Sequence, residues 1–295
     1  MIRLIKNILR LALLLLIGSG LLFSYARFIE PRFIDETQLI LIDTAAGSSD
    51  HSGYDDSLRI AVFADVHFSQ YYTPEDFDRA VARINAIEPD LVFFLGDLID
   101  NFNTYTGDTA PIIEALSQIR TSGRVSVTME NGVSHDKFAV FGNHDYGGGS
   151  ETHYNAIMEA GGFHVLVNET VQLPDWNVTI TGIDDMVIGY GDPTCAASLP
   201  EDMYNIVLSH EPDVITEVTG YPVDLMLSGH THGGQINLPV ISDYVLPPYG
   251  KIFVSGEYSF ENDRDTLLYV NRGLGTTKLP LRFLASPELT ELILQ

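Results

Sequence analysis

Only one cysteine, Cys195, occurs in 295 residues, so the chain can build neither an intramolecular disulfide nor a thiolate metal site. Any metal it holds must sit on His, Asp, Glu or Asn. Basic residues are also scarce: 16 Lys and Arg, four of them lysines, stand against 40 Asp and Glu, for a formal charge of −24. Such a surface repels a phosphate backbone over its whole approach, which removes nucleic acid from the expected partners. No protein partner is implied either. Internal repeats and low-complexity tracts are missing, and Gly147–Gly149 is followed by no Lys-Ser or Lys-Thr, so neither a solenoid nor a P-loop is expected. Apolar residues, by contrast, make up 45% of the chain. That is ample for a full core and excludes disorder as the main state.

The apolar residues begin at the N-terminus. Arg3, Lys6 and Arg10 precede an uncharged run from Leu11 to Ala26 that contains four consecutive leucines, Leu13–Leu16. This is the layout of a membrane-targeting segment, assigned to residues 1–28. As a helix the run reaches about 24 Å, and starting at Ile8 with Arg10 snorkelling extends it to about 28 Å, close to the thickness of a hydrocarbon core. Two fates fit it: an uncleaved anchor, or a signal cut near Ser24 and Ala26 that leaves a secreted or periplasmic protein. Basic residues ahead of the run and an acidic mass behind it predict that the rest of the chain lies outside the cytoplasm. Residues 29–57 join short apolar pieces, such as Leu39–Ile42, to the aperiodic stretch Thr44–Gly53. They are expected to form a tether with one edge strand. Residues 58–295 are expected to fold as one domain.

Within that domain one pattern recurs. Five short apolar runs each lead directly into a residue able to bind a metal. Ile60–Ala64 runs into Asp65, and Leu91–Leu95 into Gly96-Asp97. Phe138–Phe141 runs into Gly142-Asn143-His144, Ile206–Ser209 into His210, and Leu225–Ser228 into Gly229-His230. Uninterrupted apolar runs of this length are strands buried on both faces. Amphipathic helices are expected between them at Pro74–Ile87, Ala110–Arg120 and Glu151–Ala160. Strand, helix, strand order implies parallel strands, whose carboxyl ends collect ligands, so all five clusters should converge on one edge. Asn131-Gly132 predicts a hairpin within Val125–Val140, and Ile252–Val270 and Glu288–Leu294 should add further strands. The expected fold is a layered α/β sandwich of mixed sheets flanked by helices, behind an N-terminal membrane segment.

The converging donors are Asp65, His67, Asp97, Asn143, His210, His230 and His232. Seven are too many for one ion. Nitrogen and oxygen without thiolate suit Zn, Fe, Mn, Ni or Co. Two divalent ions sharing a carboxylate would absorb the set, with Asp97 as the shared anion. Gly96, Gly142 and Gly229 each adjoin a donor, where a missing side chain lets the backbone pass close to an ion.

In order and spacing, Asp65-x-His67, Gly96-Asp97-x-x-Asp100, Gly142-Asn143-His144-Asp145, His210 and Gly229-His230-Thr231-His232 resemble the blocks of the calcineurin-like metallophosphoesterases. The stretches His210-Glu-Pro-Asp213, Ser228 through Gln235, and Asn271-Arg-Gly-Leu-Gly275 with Pro280-Leu281-Arg282 are similar to a bacterial branch. That branch includes membrane-associated phosphodiesterases and enzymes that hydrolyse UDP-diacylglucosamine. The resemblance spans about residues 58–295. It implies that Asp65, His67, Asp97 and His232 hold one ion, that Asp97, Asn143, His210 and His230 hold the other, and that His144 is a free imidazole beside the phosphate.

The expected activity is hydrolysis of a phosphodiester or pyrophosphate bond by in-line attack of a hydroxide shared between the ions, with His144 as general acid at the leaving group. Arg272 and Arg282 are candidate phosphate clamps. Asp100 and Asp145 are expected to orient ligands. The alternatives are a catalytically silent scaffold of the same fold and a different dinuclear hydrolase such as an amidase. The apolar and aromatic stretch from Ile236 to Tyr249 follows His232 directly. As one wall of the site's mouth it would suit a substrate with a lipid portion.

Overall fold

Apolar runs without alternation need cover on both faces, and the chain provides it by stacking two sheets and packing helices on their outer sides. The computed structural model describes residues 2–41, 57–129, 132–238 and 246–295. The N-terminal half contributes β1 (Asp35–Leu41), β2 (Leu58–Phe63), β3 (Leu91–Phe94), β6 (Lys137–Ala139) and β7 (His164–Val165), after the short antiparallel pair β4 (Val127–Thr128) and β5 (Ser134–His135). The C-terminal half contributes β8 (Glu169–Leu173), β9 (Val178–Gly182), β10 (Tyr204–Leu208), β11 (Leu225–Ser228), β12 (Gly256–Ser259) and β13 (Leu267–Val270). The last strand, β14 (Glu288–Leu294), returns to the first sheet.

The first sheet runs β1-β14-β2-β3-β6-β7 and the second β12-β13-β11-β10-β9-β8. Strands β2, β3, β6 and β7 are mutually parallel, as are β9, β10, β11 and β13. Ile60, Val62, Phe93 and Phe138 meet Ile180, Ile206, Leu208 and Leu227 in the core between the sheets. The intervening positions Ala61, Phe63, Val92 and Phe94 point the other way, toward Phe77, Ile84, Leu116 and Met158. Those residues belong to α2 (Pro74–Ile87), α3 (Ala110–Ser117) and α5 (Glu151–Ala160). On the far side of the second sheet, Val207, Met226 and Leu268 pack on the single turn α6 (Ile215–Val218). This four-layer arrangement is why the strands read as continuous apolar runs.

Helix α2 starts where the sequence expects. The Thr73 hydroxyl accepts from the Asp76 N–H (3.4 Å), the Asp76 carboxylate accepts from the Thr73 N–H (3.2 Å), and Pro74 takes the first helical position. The edge strand expected within residues 29–57 is β1, seven residues paired parallel with β14 along its whole length at the margin of the first sheet. The C-terminal strand is also inserted between β1 and β2, antiparallel to β2. The stretch Thr44–Gly53 and Asn131 of the expected hairpin lie outside the described residues.

The N-terminal segment is one helix, α1 (Ile2–Phe28), 27 residues long. It is apolar enough to cross a membrane, and its most apolar window has no residue buried against the rest of the chain.

Candidate metal centre

Parallel strands end together, so the donors gather at the carboxyl edge of both sheets. Asp65 follows β2, Asp97 follows β3, Asn143 and His144 open the turn α4 (Asn143–Tyr146) after β6, and His210, His230 and His232 follow β10 and β11. Asp65, His67, Asp97, His210, His230 and His232 are all buried.

They form three overlapping groups of close donor atoms: Asp65 with His67 and His232, Asp97 with His210 and His230, and His67 with Asp97 and His144. In the first, His67 Nε2 lies 3.0 Å from His232 Nε2 and 3.9 Å from Asp65 Oδ1. Asp97 Oδ2 stands between the groups, 3.4 Å from His67 Nε2 and 3.2 Å from His210 Nε2. The first group is part of the first ligand set that the resemblance implies, without Asp97, and the second part of the other, without Asn143. His144, read from the sequence as a free imidazole, stands against the same centre, its ring 4.6 Å from that of His67.

The backbone bends to make this possible. Asp65, His67, Asp97, His230 and His232 all have φ between 49° and 73°. That is the left-handed region, which costs non-glycine residues energy and persists only where surrounding contacts hold it, commonly at functional sites. Each bend is tied down. The His230 N–H donates to Asp65 Oδ1 and Oδ2 (3.1 and 3.0 Å), the His67 N–H to the Asp97 carbonyl (3.1 Å), and the His144 N–H to Asp97 Oδ1 (2.8 Å). Asp145 accepts three N–H bonds, from Asp97, Leu98 and Gly142, at 2.8–2.9 Å, and so fixes the Asp97 turn against the Asn143 turn. A Cβ on Gly96 would lie 2.5 Å from the Gly142 nitrogen, so these two turns touch only because both residues are glycine. Asn143 sits between Gly142 and His144 in this contact.

Each imidazole is aimed by a partner on its far side. His210 Nδ1 faces the Leu95 carbonyl (2.7 Å) and His230 Nε2 the Pro248 carbonyl (2.8 Å), which turns the other ring nitrogen toward the cluster. Asp100 serves two histidines: its carboxylate is 3.3 Å from His67 Nδ1, and its carbonyl accepts from His144 Nδ1. Thr277 Oγ1 in turn donates to Asp100 (2.7 Å).

Burial and mutual charge separate the titrations. Burial pushes Asp65 up to about 6, and burial with the nearby Asp97 charge pushes Asp145 up to about 7. For Asp97 burial acts upward but is overcome by His210 and His144, which hold the carboxyl well below its ordinary value. Burial pushes His230 down to about 3 and His232 well below the imidazole range, so both are neutral bases with a free lone pair. For His210 and His144, burial acts downward but facing carboxylates outweigh it and hold both above the ordinary value.

This donor set fits divalent cations. The buried His210 Nε2 has no aligned hydrogen-bond partner, two Nε2 atoms face each other at 3.0 Å, and all donors are nitrogen or oxygen.

The guanidiniums of the two candidate phosphate clamps are engaged within the chain. Arg282 is fully buried and spends its guanidinium on the carbonyls of Arg272, Gly273, Gly275 and Ala285 at 2.6–3.1 Å, and on His232 Nδ1 at 3.3 Å. Arg272 pairs with Glu288 (2.9 Å) and Asp35 (3.2 Å). Arg282 thus braces the loop after β13 beneath Asp65, where Gly275 lies so close to the Val66 carbonyl that no Cβ fits. Of the expected aromatic wall, Pro248 reaches His230 through its carbonyl, while residues 239–245, Tyr244 and Val245 among them, lie outside the described residues.

One feature had no sequence signal. A cavity of about 550 Å³, lined by Phe68, Gln70, Thr73, Asp100, Tyr105 and others, opens beside the donors through Asp100. It is framed by residues 101–108, a stretch without periodicity or motif.

Residues 58–234 match the family described as Calcineurin-like phosphoesterase. The uncharacterized metallophosphoesterase YkuE of Bacillus subtilis is 40% identical over 92% of this chain and 89% of its own length. The phosphodiesterase YaeI of Escherichia coli is 28% identical over 92% of both chains. The UDP-2,3-diacylglucosamine pyrophosphatase LpxG of Chlamydia muridarum is 30% identical over 79% of this chain and 82% of its own.

Proposed function

The chain belongs to the calcineurin-like phosphoesterase family, and from that premise we propose that it is a membrane-anchored, dinuclear metal-dependent hydrolase of phosphodiester or pyrophosphate bonds in a lipid-linked substrate. The observation that carries the reading is the buried meeting of two carboxylates and four imidazoles at the edge of two sheets. Asp65, His67, Asp97 and His232 would hold one ion, and Asp97, Asn143, His210 and His230 the other. When bound, two divalent ions supply Lewis acidity toward the phosphate oxygens and a nucleophile of lowered pKa.

The chain's own residues do the rest. Asp97 approaches imidazoles of both groups more closely than Asp65 does, at 3.4 and 3.2 Å against 3.7–4.0 Å, so it sets their spacing. His144 is the general acid. Its ring is the least buried of the site imidazoles, Asp97 and Asp100 hold its proton on despite burial, and the Asp100 carbonyl occupies Nδ1, leaving Nε2 to deliver a proton to the leaving oxygen. Two similar proteins, named as a phosphodiesterase and as a pyrophosphatase of a diacylated nucleotide sugar, support this bond class and a lipid portion. The 27-residue apolar helix α1 supports anchoring, and the basic residues at its start support a catalytic domain outside the cytoplasm.

Turnover of a chromogenic phosphodiester with added Mn²⁺, abolished by chelator and restored by metal, is the expected result, and no turnover at any divalent metal would overturn it. A panel of soluble diesters, nucleotide sugars and phospholipids then ranks the substrate classes.

A further inference from the structure

The base of α1 is gripped by the folded domain. The Arg282 N–H donates to the Ala26 carbonyl (2.9 Å), and the Ala285 N–H to Oε1 of the buried Glu30 (2.7 Å). Tyr25 packs edge-on to Phe283 at 6.4 Å, and the Arg27 guanidinium lies 5.3 Å over the Tyr71 ring. A helix held by backbone bonds, an aromatic contact and a cation–π contact leaves the domain at a fixed angle.

Around this exit lie large apolar side chains that stay largely exposed among the described residues: Ile29, Phe33, Tyr71, Leu279 and Leu284, each 46–62% exposed. Leu284 is the most telling. Its φ is 56°, a conformation unfavourable for leucine, and the strain is not repaid by burial, since its side chain is turned outward. Arg32 and Lys278 are exposed beside these residues in a chain otherwise dominated by acid.

The segments that make this surface also make the site. Residues 277–284 present Thr277 to Asp100 and Arg282 to His232, and Gln70, next to Tyr71, lines the cavity beside Asp100.

We propose that Ile29, Phe33, Tyr71, Leu279 and Leu284 form a collar that sits in the headgroup–acyl boundary of the bilayer α1 enters, holding the cavity beside Asp100 at the membrane surface. This rests on the anchoring reading of α1 given above. Apolar side chains flanked by Arg and Lys suit that boundary, and a helix of about 40 Å at 1.5 Å per residue is long enough to cross the core and still bring its base to the interface. A lipid-linked phosphate then reaches the site without leaving the membrane plane.

The test uses the full chain reconstituted in phosphatidylethanolamine–phosphatidylglycerol vesicles. With Cys195→Ser as background, single cysteines replace Leu279, Phe33, Leu15 within α1, or the remote exposed Tyr190, and each carries an environment-sensitive fluorophore. Each labelled protein is first matched to the parent in turnover of a soluble diester, which selects folded protein. Labels at 279 and 33 should lose about half their emission to shallow doxyl-labelled lipid, and the label at 190 almost none. If the label at 15 is quenched while those at 279 and 33 behave like 190, the anchor stands and the collar is overturned. If the label at 15 is not quenched, the anchoring reading falls and takes the collar with it.

Discussion

The two sheets bring different chemistry to the edge they share. The first supplies both carboxylates, Asp65 and Asp97, the amide of Asn143, and the imidazoles His67 and His144. The second supplies only imidazoles, His210, His230 and His232. Neither sheet could hold a pair of cations alone. The first would concentrate negative charge in a buried place, and the second would offer neutral nitrogens with too little charge to balance a divalent ion. Face-to-face packing joins the halves, and Asp97 is where they meet, bonded through the backbone to its own sheet and facing His210 of the other.

The sharpest way to break this comparison is Asp97→Asn. Weakening the anion that stands closest to both groups should release metal from both halves and abolish measurable turnover. Elemental analysis that still finds two ions per chain would refute the joint role.

His144→Ala should separate the two kinds of imidazole on the first sheet. Metal content stays at the parent level, while turnover falls by roughly 10² to 10⁴, the range of general acid catalysis. Loss of metal in this variant would instead make His144 a ligand, as its closeness to His67 and Asp97 permits.

Arg282→Met tests whether the second sheet's loop is held by charge or by packing. The variant keeps most of the volume but strands five carbonyls and His232 Nδ1, and should cost about 3 kcal/mol, with a lowered thermal midpoint. An unchanged midpoint would mean that the buried guanidinium has no structural role.

The smallest effect is a change of slope with pH. Asp65, pushed up to about 6, and His210, held well above its ordinary value, both carry a proton below pH 6 that an incoming cation must displace. His230, at about 3, carries none across this range. Apparent metal affinity should therefore fall as pH falls, by about tenfold per unit for each proton displaced, steepening from one proton to two below pH 6. Calorimetry in buffers of different ionisation heat counts the protons, and a constant count across pH 6 would contradict the assignment to Asp65.

Much of the site was legible because it lies at the ends of strands. A run such as Leu91–Leu95 ending in Gly-Asp carries both its buried strand and its donor in consecutive residues, and parallel order forces such ends together. Arg282 was illegible for the opposite reason. An arginine near a phosphate site has the same letter whether it reaches solvent or is buried under His232, and only its neighbours decide. The cavity beside Asp100 was invisible because its walls come from two loops, each without periodicity.

By itself, then, the sequence determined the strands that end in donors, the helices between them, the apolar N-terminal segment and the donor types, since these follow from local pattern and chain order, whereas strands such as β8 and β9 carried no such mark. Tertiary structure alone decided that β14 inserts beside β2, that five donors adopt left-handed backbone, that Arg282 braces the site from within, and that the base of α1 is fixed against the loop holding His232. Each of these depends on contacts between residues far apart in the chain, whose free energies no local pattern encodes.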